Sequence, residues 1–307
     1  MSILAIGTVA FDSIETPFGT ADRVLGGSAT YITFAARYFT SDLRLSAVVG
    51  QDFPDELIQL FQERDIDLEG LRIDPSGKTF FWAGRYHEDL NTRDTLVTDL
   101  NVLATFDPKL PGSYLDSEII CLGNLDPDIQ NNVLDQLTDP KLVVLDTMNY
   151  WIERTPEALA TVLKRADVLI INDSEARQLA KEPNLVKAAR IIRNMGPRYL
   201  VIKKGEHGAL LFGDEGVFSA PALPLEVVID PTGAGDTFAG GFVGYLGSVG
   251  SFDFEAMKLA VIYGSAMASF NVEDFGPERL LDLTKDQISG RLEEFRMLAN
   301  IPEEVFA

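Results

Sequence analysis

The sequence is poor in the residues that form cross-links or bind metals through soft ligands. Its 307 residues include one cysteine, Cys121, and two histidines, His87 and His207. A single thiol cannot form an internal disulfide, and this set cannot supply the four sulfur and nitrogen ligands of a structural zinc ion. Low cysteine use is typical of a reducing compartment, so a cytoplasmic protein is expected.

Positive charge is also scarce. There are 26 lysines and arginines against 47 acidic residues, which gives a formal net charge of −21. Proteins that bind nucleic acid or anionic lipid neutralise negative charge with Lys and Arg, so neither partner is expected. The longest uncharged stretch, 237–252, is shorter than the roughly 20 apolar residues of a membrane span and contains several glycines. The first residues lack the basic region of a signal peptide, so export is not expected.

What is present is enough apolar sequence for a large core, since 46% of the residues are hydrophobic. Short apolar runs alternate with segments of helical period, which is typical of βαβ units and predicts an α/β fold with a mostly parallel sheet. Six strands are predicted, at Ile3–Ile6, Arg44–Val49, Ile119–Leu122, Leu142–Leu145, Val168–Ile171 and Tyr199–Ile202. Eight helices are predicted, at Ala29–Phe39, Glu56–Arg64, Ile129–Leu137, Pro156–Arg165, Ser174–Ala180, Val186–Asn194, Thr237–Leu246 and Glu255–Ser269.

One segment departs from this alternation. Residues 78–103 are rich in threonine, aromatic and charged residues, and the period of Phe80 to Tyr86 favours strands. Together with residues 12–22 they are expected to form a small sheet that covers one end of the main domain and excludes water as a lid. The alternative is an ordinary surface hairpin. No linker or repeat divides the chain, so one domain over residues 1–307 is expected.

The strongest local pattern is a glycine-rich turn at residues 230–242. An extended segment over 226–229 is expected to lead into Gly233-Ala234-Gly235 and then into a helix of small residues. Free backbone N–H groups at such a helix start bind anions, and glycine lets oxygen atoms approach the backbone closely. Asp236 would lie at the same helix start, ionised and able to accept a hydroxyl proton. The alternative is a plain turn with Asp236 as a helix cap.

Three other motifs are incomplete. A P-loop ending at Gly77-Lys78-Thr79 would need a glycine where Arg72 stands, and a dinucleotide fingerprint starting at Gly233 would need one at Phe238. Serine hydrolase elbows also lack a flanking glycine. An enzyme using a dinucleotide cofactor is therefore disfavoured.

The turn resembles the C-terminal signature of the PfkB family of ribokinase-like carbohydrate and nucleoside kinases. The resemblance continues along nearly the whole chain, at Gly7, Asp12, Gly26, Gly27, Gly50, Asp52, Asn172, Glu175, Lys204, Gly205 and Gly208. It implies a ribokinase-like three-layer α/β/α sandwich around a mostly parallel sheet, with a small β lid. It also implies transfer of the γ-phosphoryl group of ATP to a hydroxymethyl group of a sugar or nucleoside.

The resemblance assigns the catalytic roles. Asp236 is implied to be the base that deprotonates the acceptor hydroxyl. Three residues are implied to form the anion hole: Gly233, Ala234 and Gly235. The acceptor-binding positions are implied to be Asp12, Gly26 and Gly27. A single carboxylate can accept hydrogen bonds from two neighbouring hydroxyls, so Asp12 suits a sugar diol.

The nucleotide side follows in the same way. The cofactor-binding positions implied by the resemblance are Asn172, Glu175, Lys203, Lys204, Gly205, Gly208 and Thr232. Glu175 is implied to help hold Mg²⁺ through water, since magnesium retains much of its hydration shell. Asp230 and Thr232 match positions of a K⁺ site found in many members. The alternatives are a helix cap at Asn172 and a hairpin turn at 203–208.

The acceptor is left open between sugar and nucleoside. The residues after Gly27 are Ser28, Thr30 and Tyr31, without the asparagine that often contacts sugar hydroxyls. Aromatic residues of the lid could stack on a nucleobase, with Asn91 or Arg93 reading its polar edge. The alternative is that these aromatics form the core of the lid itself or a contact between two copies. A non-catalytic sensor of nucleotide or sugar is the competing function.

Overall fold

A central sheet of nine strands organises the computed structural model, which describes residues 1–298. The strands lie in the order β13-β12-β11-β10-β9-β8-β1-β4-β5, and all neighbouring pairs are parallel except β11–β12 and β12–β13. Their bounds are β1 Ile3–Ile6, β4 Leu43–Gly50, β5 Ile66–Asp74, β8 Ile119–Leu122, β9 Leu142–Asp146, β10 Val168–Asn172, β11 Tyr199–Lys203, β12 Ala209–Gly213 and β13 Gly216–Ala220.

Helices cover both faces of this sheet. Their bounds are α1 Ser28–Ala36, α2 Asp55–Gln62, α3 Pro127–Gln136, α4 Asn149–Arg154, α5 Pro156–Leu163, α6 Asp173–Ala180, α7 Leu185–Arg193, α8 Ala234–Val249, α9 Phe254–Asn271, α10 Glu278–Leu281 and α11 Lys285–Leu298. Successive side chains of a strand point to opposite faces. Ile3 and Ala5 accordingly pack with α1, α8 and α9, whereas Leu4 and Ile6 pack with α3, α5 and α7. One hydrophobic core lies on each face of the sheet, so the sheet and the two sets of helices form three layers.

A second sheet lies at one end of the main one. Its four strands are β2 Ala10–Thr16, β3 Gly19–Gly26, β6 Phe81–Tyr86 and β7 Arg93–Asp99, in the order β3-β2-β6-β7. The two segments expected to form a small sheet therefore supply its strands. Its action as a lid, and the single domain over 1–307, stay predictions; residues 299–307 lie outside the described residues.

The predicted α/β fold is confirmed, and each of the six strands and eight helices predicted from hydropathy has a counterpart. The segment at 226–229, expected to be extended, belongs to neither sheet, and its Ile229 N–H donates to Val272 O at 2.8 Å. Strands β5 and β13 and helices α4, α10 and α11 were not predicted, and β12 was expected only in the hairpin alternative. Within residues 1–298, no helix is long and apolar enough to cross a membrane.

Candidate active site

Charged and polar residues lie where three neighbouring parallel strands end. Asp146 is the last residue of β9, Asn172 of β10 and Lys203 of β11. The carboxyl ends of parallel strands share one edge of a sheet, and ligands of open α/β sheets bind in the crevice outside that edge. These residues therefore define the floor of a candidate site.

The glycine-rich turn borders this floor. Gly233 has φ 74°, and a Cβ there would lie 2.3 Å from the Tyr31 ring, so only glycine fits. The Ala234 N–H donates to Pro231 O at 3.2 Å. Among the residues described, the N–H groups of Gly233, Gly235 and Asp236 have no acceptor. The turn thus offers three free donors, although one is not the expected residue.

Asp236 lies in the first turn of α8 and keeps part of its side chain exposed. Burial raises its pKa to about 7, and the negative charge of Asp146 acts in the same direction. The positive charges of Lys203 and Arg93 lower the pKa of Asp236. A carboxylate with this pKa can take up a proton near neutral pH.

Lys203 reaches from β11 over the start of α8. A Cβ on Gly235 would lie 2.7 Å from its Nζ atom, so the ammonium group sits directly above that glycine. Its positive charge lowers the pKa of Asp146 and of Glu175, which burial raises, in the case of Glu175 to about 7. The Lys203 ammonium group therefore lowers the pKa values of Asp146, Glu175 and Asp236 and lies beside the free amides of the turn.

Asn172 and Glu175 form a capping box at the start of α6. The Glu175 N–H donates to Asn172 Oδ1 at 2.8 Å, and the Asn172 N–H donates to Glu175 Oε2 at 2.8 Å. The helix-cap alternative is thus realised in full. It leaves Glu175 Oε1 without a hydrogen-bond donor among the described residues.

Asp12 approaches from the small sheet. It lies on β2 with only 5% of its surface exposed, and a Cβ on Gly26 would lie 2.0 Å from its Oδ2 atom. Gly27 has φ 94° and faces Thr8 O, where a Cβ would lie 2.4 Å away. Burial, with the negative charges of Asp230 and Asp236, raises the pKa of Asp12 to about 7. The two sequence-distant aspartates therefore share one site.

The small sheet is docked on the glycine-rich turn. The Thr232 hydroxyl donates to Tyr86 Oη at 3.2 Å. Arg93 pairs with Tyr86 across β6 and β7, so their side chains lie on one face. The positive charge of Arg93 lowers the pKa values of three acids: Asp12, Glu175 and Asp236.

Asn91 and Trp82 of the small sheet are two candidates for contact with a nucleobase. Asn91 Nδ2 donates to Glu206 Oε2 at 3.1 Å, so in this structure Asn91 contacts the 205–208 loop. The Trp82 ring covers Gly84 on its own strand and lies 5.4 Å from the Arg93 guanidinium. Trp82 thus packs within the sheet, as one alternative predicted, on the face that also carries Tyr86.

The loop after β11 is a tight turn. The Lys204 N–H donates to Gly208 O at 2.8 Å, which closes the loop across Gly205. Strands β11 and β12 pair on either side, from Lys203 with Ala209 onwards. The hairpin alternative therefore holds for residues 204–208, and only Lys203 of this group borders Asp236.

Asp230 is fully buried behind the turn. Its Oδ1 accepts the Thr232 N–H at 2.8 Å and its Oδ2 accepts the Gly276 N–H at 3.1 Å. Burial raises its pKa, and it forms no ion pair with a lysine or arginine side chain of residues 1–298. Asn271 donates from Nδ2 to Thr232 O at 2.8 Å, while its buried Oδ1 has no partner in the described part of the chain.

No three acidic, histidine or cysteine side chains of residues 1–298 lie close enough to hold a metal ion by themselves. A cation that keeps water and shares ligands with a substrate needs fewer protein groups. Within residues 1–298, the free oxygen of Glu175 and the unpaired carboxylate of Asp230 are two places that fit a cation.

Comparison with known proteins decides the family. The model of the pfkB family of carbohydrate kinases matches residues 4–282. The chain belongs to this family. It is therefore a kinase, and the expected family membership is confirmed.

Relatives of this pfkB-family chain act on different acceptors. A cytidine kinase of Thermococcus kodakarensis is 31% identical over 248 residues, which cover 79% of this chain and 87% of the relative. The structure of the nucleoside kinase of Methanocaldococcus jannaschii, a ribokinase-family member, superimposes with a TM-score of 0.76 at 20% identity, covering 96% of this chain and 99% of that one. A putative ribokinase II of E. coli in complex with ATP and Mg²⁺ gives 0.78 at 18%, covering 97% and 99%. These likenesses confirm the ribokinase-like fold.

Sequence reasoning missed Asp146, because an aspartate after a buried strand is also common in plain loops. It singled out Tyr86 only as an aromatic residue of the lid and Tyr31 only as a residue near Gly27. Both lie in apolar or alternating runs, where a buried aromatic is the ordinary interpretation. Arg93 was one of two candidates for contact with a base, and the effect of its charge on the pKa values of Asp12, Glu175 and Asp236 was not predicted.

Proposed function

We propose that this kinase transfers the γ-phosphoryl group of ATP to the hydroxymethyl group of a nucleoside. The observation that carries the proposal is the convergence of Asp12, Asp236 and the free amides of the glycine-rich turn on one cleft. The nucleoside acceptor is supported by the 31% identical relative named cytidine kinase. A sugar acceptor is the alternative within the same family.

In the proposed reaction Asp236 is the general base. The acceptor hydroxyl oxygen forms a bond to the γ-phosphorus while the bond from that phosphorus to the β,γ-bridging oxygen breaks. The hydroxyl proton passes to the Asp236 carboxylate, and ADP leaves with the electron pair of the broken bond. A base with a pKa of about 7 is matched to proton transfer at neutral pH.

Charge on the migrating phosphoryl group is proposed to be neutralised by the turn and two cations. Gly233, Ala234 and Gly235 are the proposed anion hole, with the free donors at Gly233 and Gly235 as its main support. Lys203 would add an ammonium group next to Gly235. Arg93 would add a guanidinium from the small sheet, which acts as the lid. Preorganised donors of this kind supply most of the catalysis in phosphoryl transfer.

Asp12, with the backbone of Gly26 and Gly27, is proposed to bind the ribose diol. Its carboxylate has acceptor sites for both hydroxyls, and the absence of a Cβ at Gly26 leaves room for that carboxylate beside the backbone. Trp82 lies on the same face of the small sheet as Asp12, since the two residues pair across β2 and β6. The face of the Trp82 ring that does not pack on Gly84 is proposed to stack on the base.

The nucleotide is proposed to lie along the ends of β10 and β11. Its phosphates would meet Lys203 and Thr232, and the chain would pass it closely at Gly205. The full proposed set is Asn172, Glu175, Lys203, Lys204, Gly205, Gly208 and Thr232. Mg²⁺ neutralises phosphate charge when bound, and Glu175 would hold it through water by its free Oε1 atom.

A K⁺ ion is proposed at Asp230. The buried carboxylate lacks a cationic partner among the described side chains, and Asn271 Oδ1 is an unused acceptor beside Thr232. Oxygen atoms of this kind can coordinate a monovalent cation, which would compensate the buried negative charge of Asp230.

A homodimer through the small sheet is also proposed. Strand β7 is an edge strand, exposed along its whole length, with Leu96 and Val97 facing solvent. Exposed edges with apolar side chains favour pairing with another strand. Light scattering should give twice the chain mass, and Leu96→Lys should give one chain mass.

The deciding experiment is ADP release on a panel of cytidine, uridine, adenosine, inosine, ribose and fructose. The proposal expects turnover with at least one nucleoside and less with free sugars. Turnover with ribose or fructose but with no nucleoside would show that the acceptor is a sugar. Tight binding without ADP release from any acceptor would favour the sensor function.

A further inference from the structure

Asn124 lies beside the acceptor residues but belongs to no motif of the glycine-rich turn or the small sheet. It follows Gly123 at the end of β8, next to β1 in the middle of the sheet. The Gly123 N–H donates to Ile6 O at 2.7 Å, and a Cβ on Gly123 would lie 2.8 Å from Ser28 Oγ. Ser28 directly follows Gly27. Asn124 therefore borders the proposed ribose site from the side of the sheet.

The loops on either side of Asn124 are fixed in place. Gln130 Nε2 donates to Gly123 O at 2.9 Å and to Asp146 O at 3.3 Å. This amide ties the ends of β8 and β9 together beneath the cleft. Asn124 itself is half-buried, so its side chain keeps contact with solvent.

The orientation of the Asn124 amide follows from its partners. Trp151 Nε1 donates to Asn124 Oδ1 at 2.9 Å. The indole nitrogen can only donate, so the oxygen must face it and the NH₂ group must point the other way. The Asn124 nitrogen lies 3.0 Å from Met148 Sδ, a weak acceptor. At least one strong N–H donor is thus unspent at the edge of the cleft.

We propose that Asn124 is a specificity-determining residue, whose NH₂ group donates a hydrogen bond to a lone-pair atom of the acceptor nucleoside, and that Trp151 is the positioning residue that fixes this amide. The inference rests on the proposed nucleoside acceptor. A fixed N–H donor can bond to a keto oxygen, an unprotonated ring nitrogen or a hydroxyl oxygen, but not to an exocyclic amino group. Asn124 therefore selects among nucleosides by the polarity of the atom that faces it.

The test compares Asn124→Asp and Asn124→Leu with the wild type by calorimetry of nucleoside binding and by ADP release. Asn124→Leu should weaken binding about 5- to 10-fold, the value of one lost hydrogen bond, without changing the KM for ATP. Asn124→Asp replaces the donor by an acceptor of the same shape. Asn132→Asp, the same change on the exposed face of α3, is the control for added charge.

The pattern across substrates identifies the atom. If Asn124 faces the exocyclic position of the base, Asn124→Asp should shift kcat/KM by about 10-fold towards cytidine over uridine and towards adenosine over inosine, because the carboxylate can accept from the amino group. If it faces the ring nitrogen, N3 of a pyrimidine or N1 of a purine, the shift should run towards uridine and inosine, because their ring N–H can donate to the carboxylate. If it faces a ribose hydroxyl or a shared base atom, the loss should be equal for all four. A shift in preference among the nucleosides supports the inference. An equal loss for all four would keep the hydrogen bond but overturn the role in specificity, and unchanged binding in both variants overturns the site itself.

Trp151→Phe tests the positioning role. Loss of the indole donor frees the amide to turn, so the preference among nucleosides should weaken by several fold. In the Asn124→Leu background the same change should have no further effect on that preference. Equal effects in both backgrounds would overturn the role of Trp151.

The outcome separates this inference from the proposed function. If nucleosides bind in a way that depends on Asn124 but no ADP is released, the binding site is supported and phosphoryl transfer to nucleosides is contradicted. If ADP release with nucleosides is unchanged in the Asn124 variants, only the role of Asn124 is contradicted. If the wild type binds no nucleoside, both the role of Asn124 and the nucleoside kinase function are contradicted.

Discussion

The Thr232 hydroxyl donates a hydrogen bond to the phenol oxygen of Tyr86 at 3.2 Å. This contact joins the small sheet to the glycine-rich turn, although 146 residues separate the two in sequence. Both side chains are buried, so the small sheet in this structure covers the turn. The same contact brings Arg93 over the acids of the floor, because Arg93 shares a face with Tyr86.

Tyr86→Phe should weaken lid docking with little effect on the rest of the fold. Loss of one neutral hydrogen bond costs about 0.5–1.5 kcal/mol, so kcat/KM should fall roughly 3- to 10-fold. Steady-state rates with the best nucleoside give the measurement. Tyr245→Phe, which removes a hydroxyl without a hydrogen bond in the described chain, is the control. Equal rates for Tyr86→Phe and wild type would contradict a docking role.

Arg93→Gln should lower kcat by about 10²-fold, the usual loss of one charge-stabilising donor. It should also move the acidic limb of the rate profile to higher pH, since Arg93 lowers the pKa of Asp236. The matched control is Arg85→Gln, on the opposite face of β6 in a surface pair with Glu15. If both variants lose activity alike, the effect belongs to the sheet and not to the arginine.

The sequence predicted the central layers because strands covered on both faces are apolar along their length, as in Val168–Asn172. It missed strand β5 since that edge strand alternates with exposed polar residues, and α11 because few of its side chains are buried. The segment at 226–229 shows that an extended run need not join a sheet. The pair Val227 and Val228 has no partner strand, and Val227 is 58% exposed.

The site was predictable only where chemistry is local in sequence. The turn at Gly233 and Asp236 carries its own geometry, so its position followed from the residues. The contributions of Asp146, Lys203 and Arg93 depend on strand order and on the docking of the small sheet. No pattern within a single segment encodes those relations.

Asp236→Asn should leave ATP binding nearly unchanged and lower turnover by about 10²–10⁴-fold, the usual value of a general base. Calorimetry with ATP and ADP release measure the two effects separately. Asp286→Asn, an exposed position on α11, controls for loss of negative charge. A fully active Asp236→Asn enzyme would contradict the assignment.

The pH profile provides a second check on Asp236. A base must be deprotonated, so kcat/KM should rise with pH through about 7 and level off above it. Because Lys203 lowers the pKa of Asp236, Lys203→Met should shift this limb to higher pH. The measurement is kcat/KM from pH 5.5 to 9 in a buffer of constant ionic strength. A limb that does not move would show that the two side chains are not coupled.

Potassium should stabilise the protein if it binds at Asp230. We expect a higher thermal midpoint in KCl than in tetramethylammonium chloride at equal ionic strength, because the small cation offsets a buried carboxylate. ADP release should rise in parallel. Identical midpoints and rates in the two salts would argue against this cation site.

Asp12→Asn should raise stability at alkaline pH, because the wild-type carboxyl is buried beside Asp230 and Asp236. Its pKa is about 7 in the folded chain and near its ordinary value of 3.8 in the unfolded chain. Between these values the folded state binds more protons, so the free energy of unfolding falls as pH rises. The amide removes this loss, which amounts to roughly 2–4 kcal/mol above pH 7.

Thermal unfolding at pH 4 and pH 8 measures this difference. The Asp12→Asn variant and the wild type should unfold at similar temperatures at pH 4, and the variant several degrees higher at pH 8. Asp286→Asn should show no such dependence. Nucleoside binding should weaken at pH 8, since the amide cannot accept two hydroxyls as a carboxylate does, and should change less at pH 4, where the wild-type carboxyl group is protonated. A variant less stable than wild type at pH 8 would mean that the Asp12 charge is compensated in the folded state.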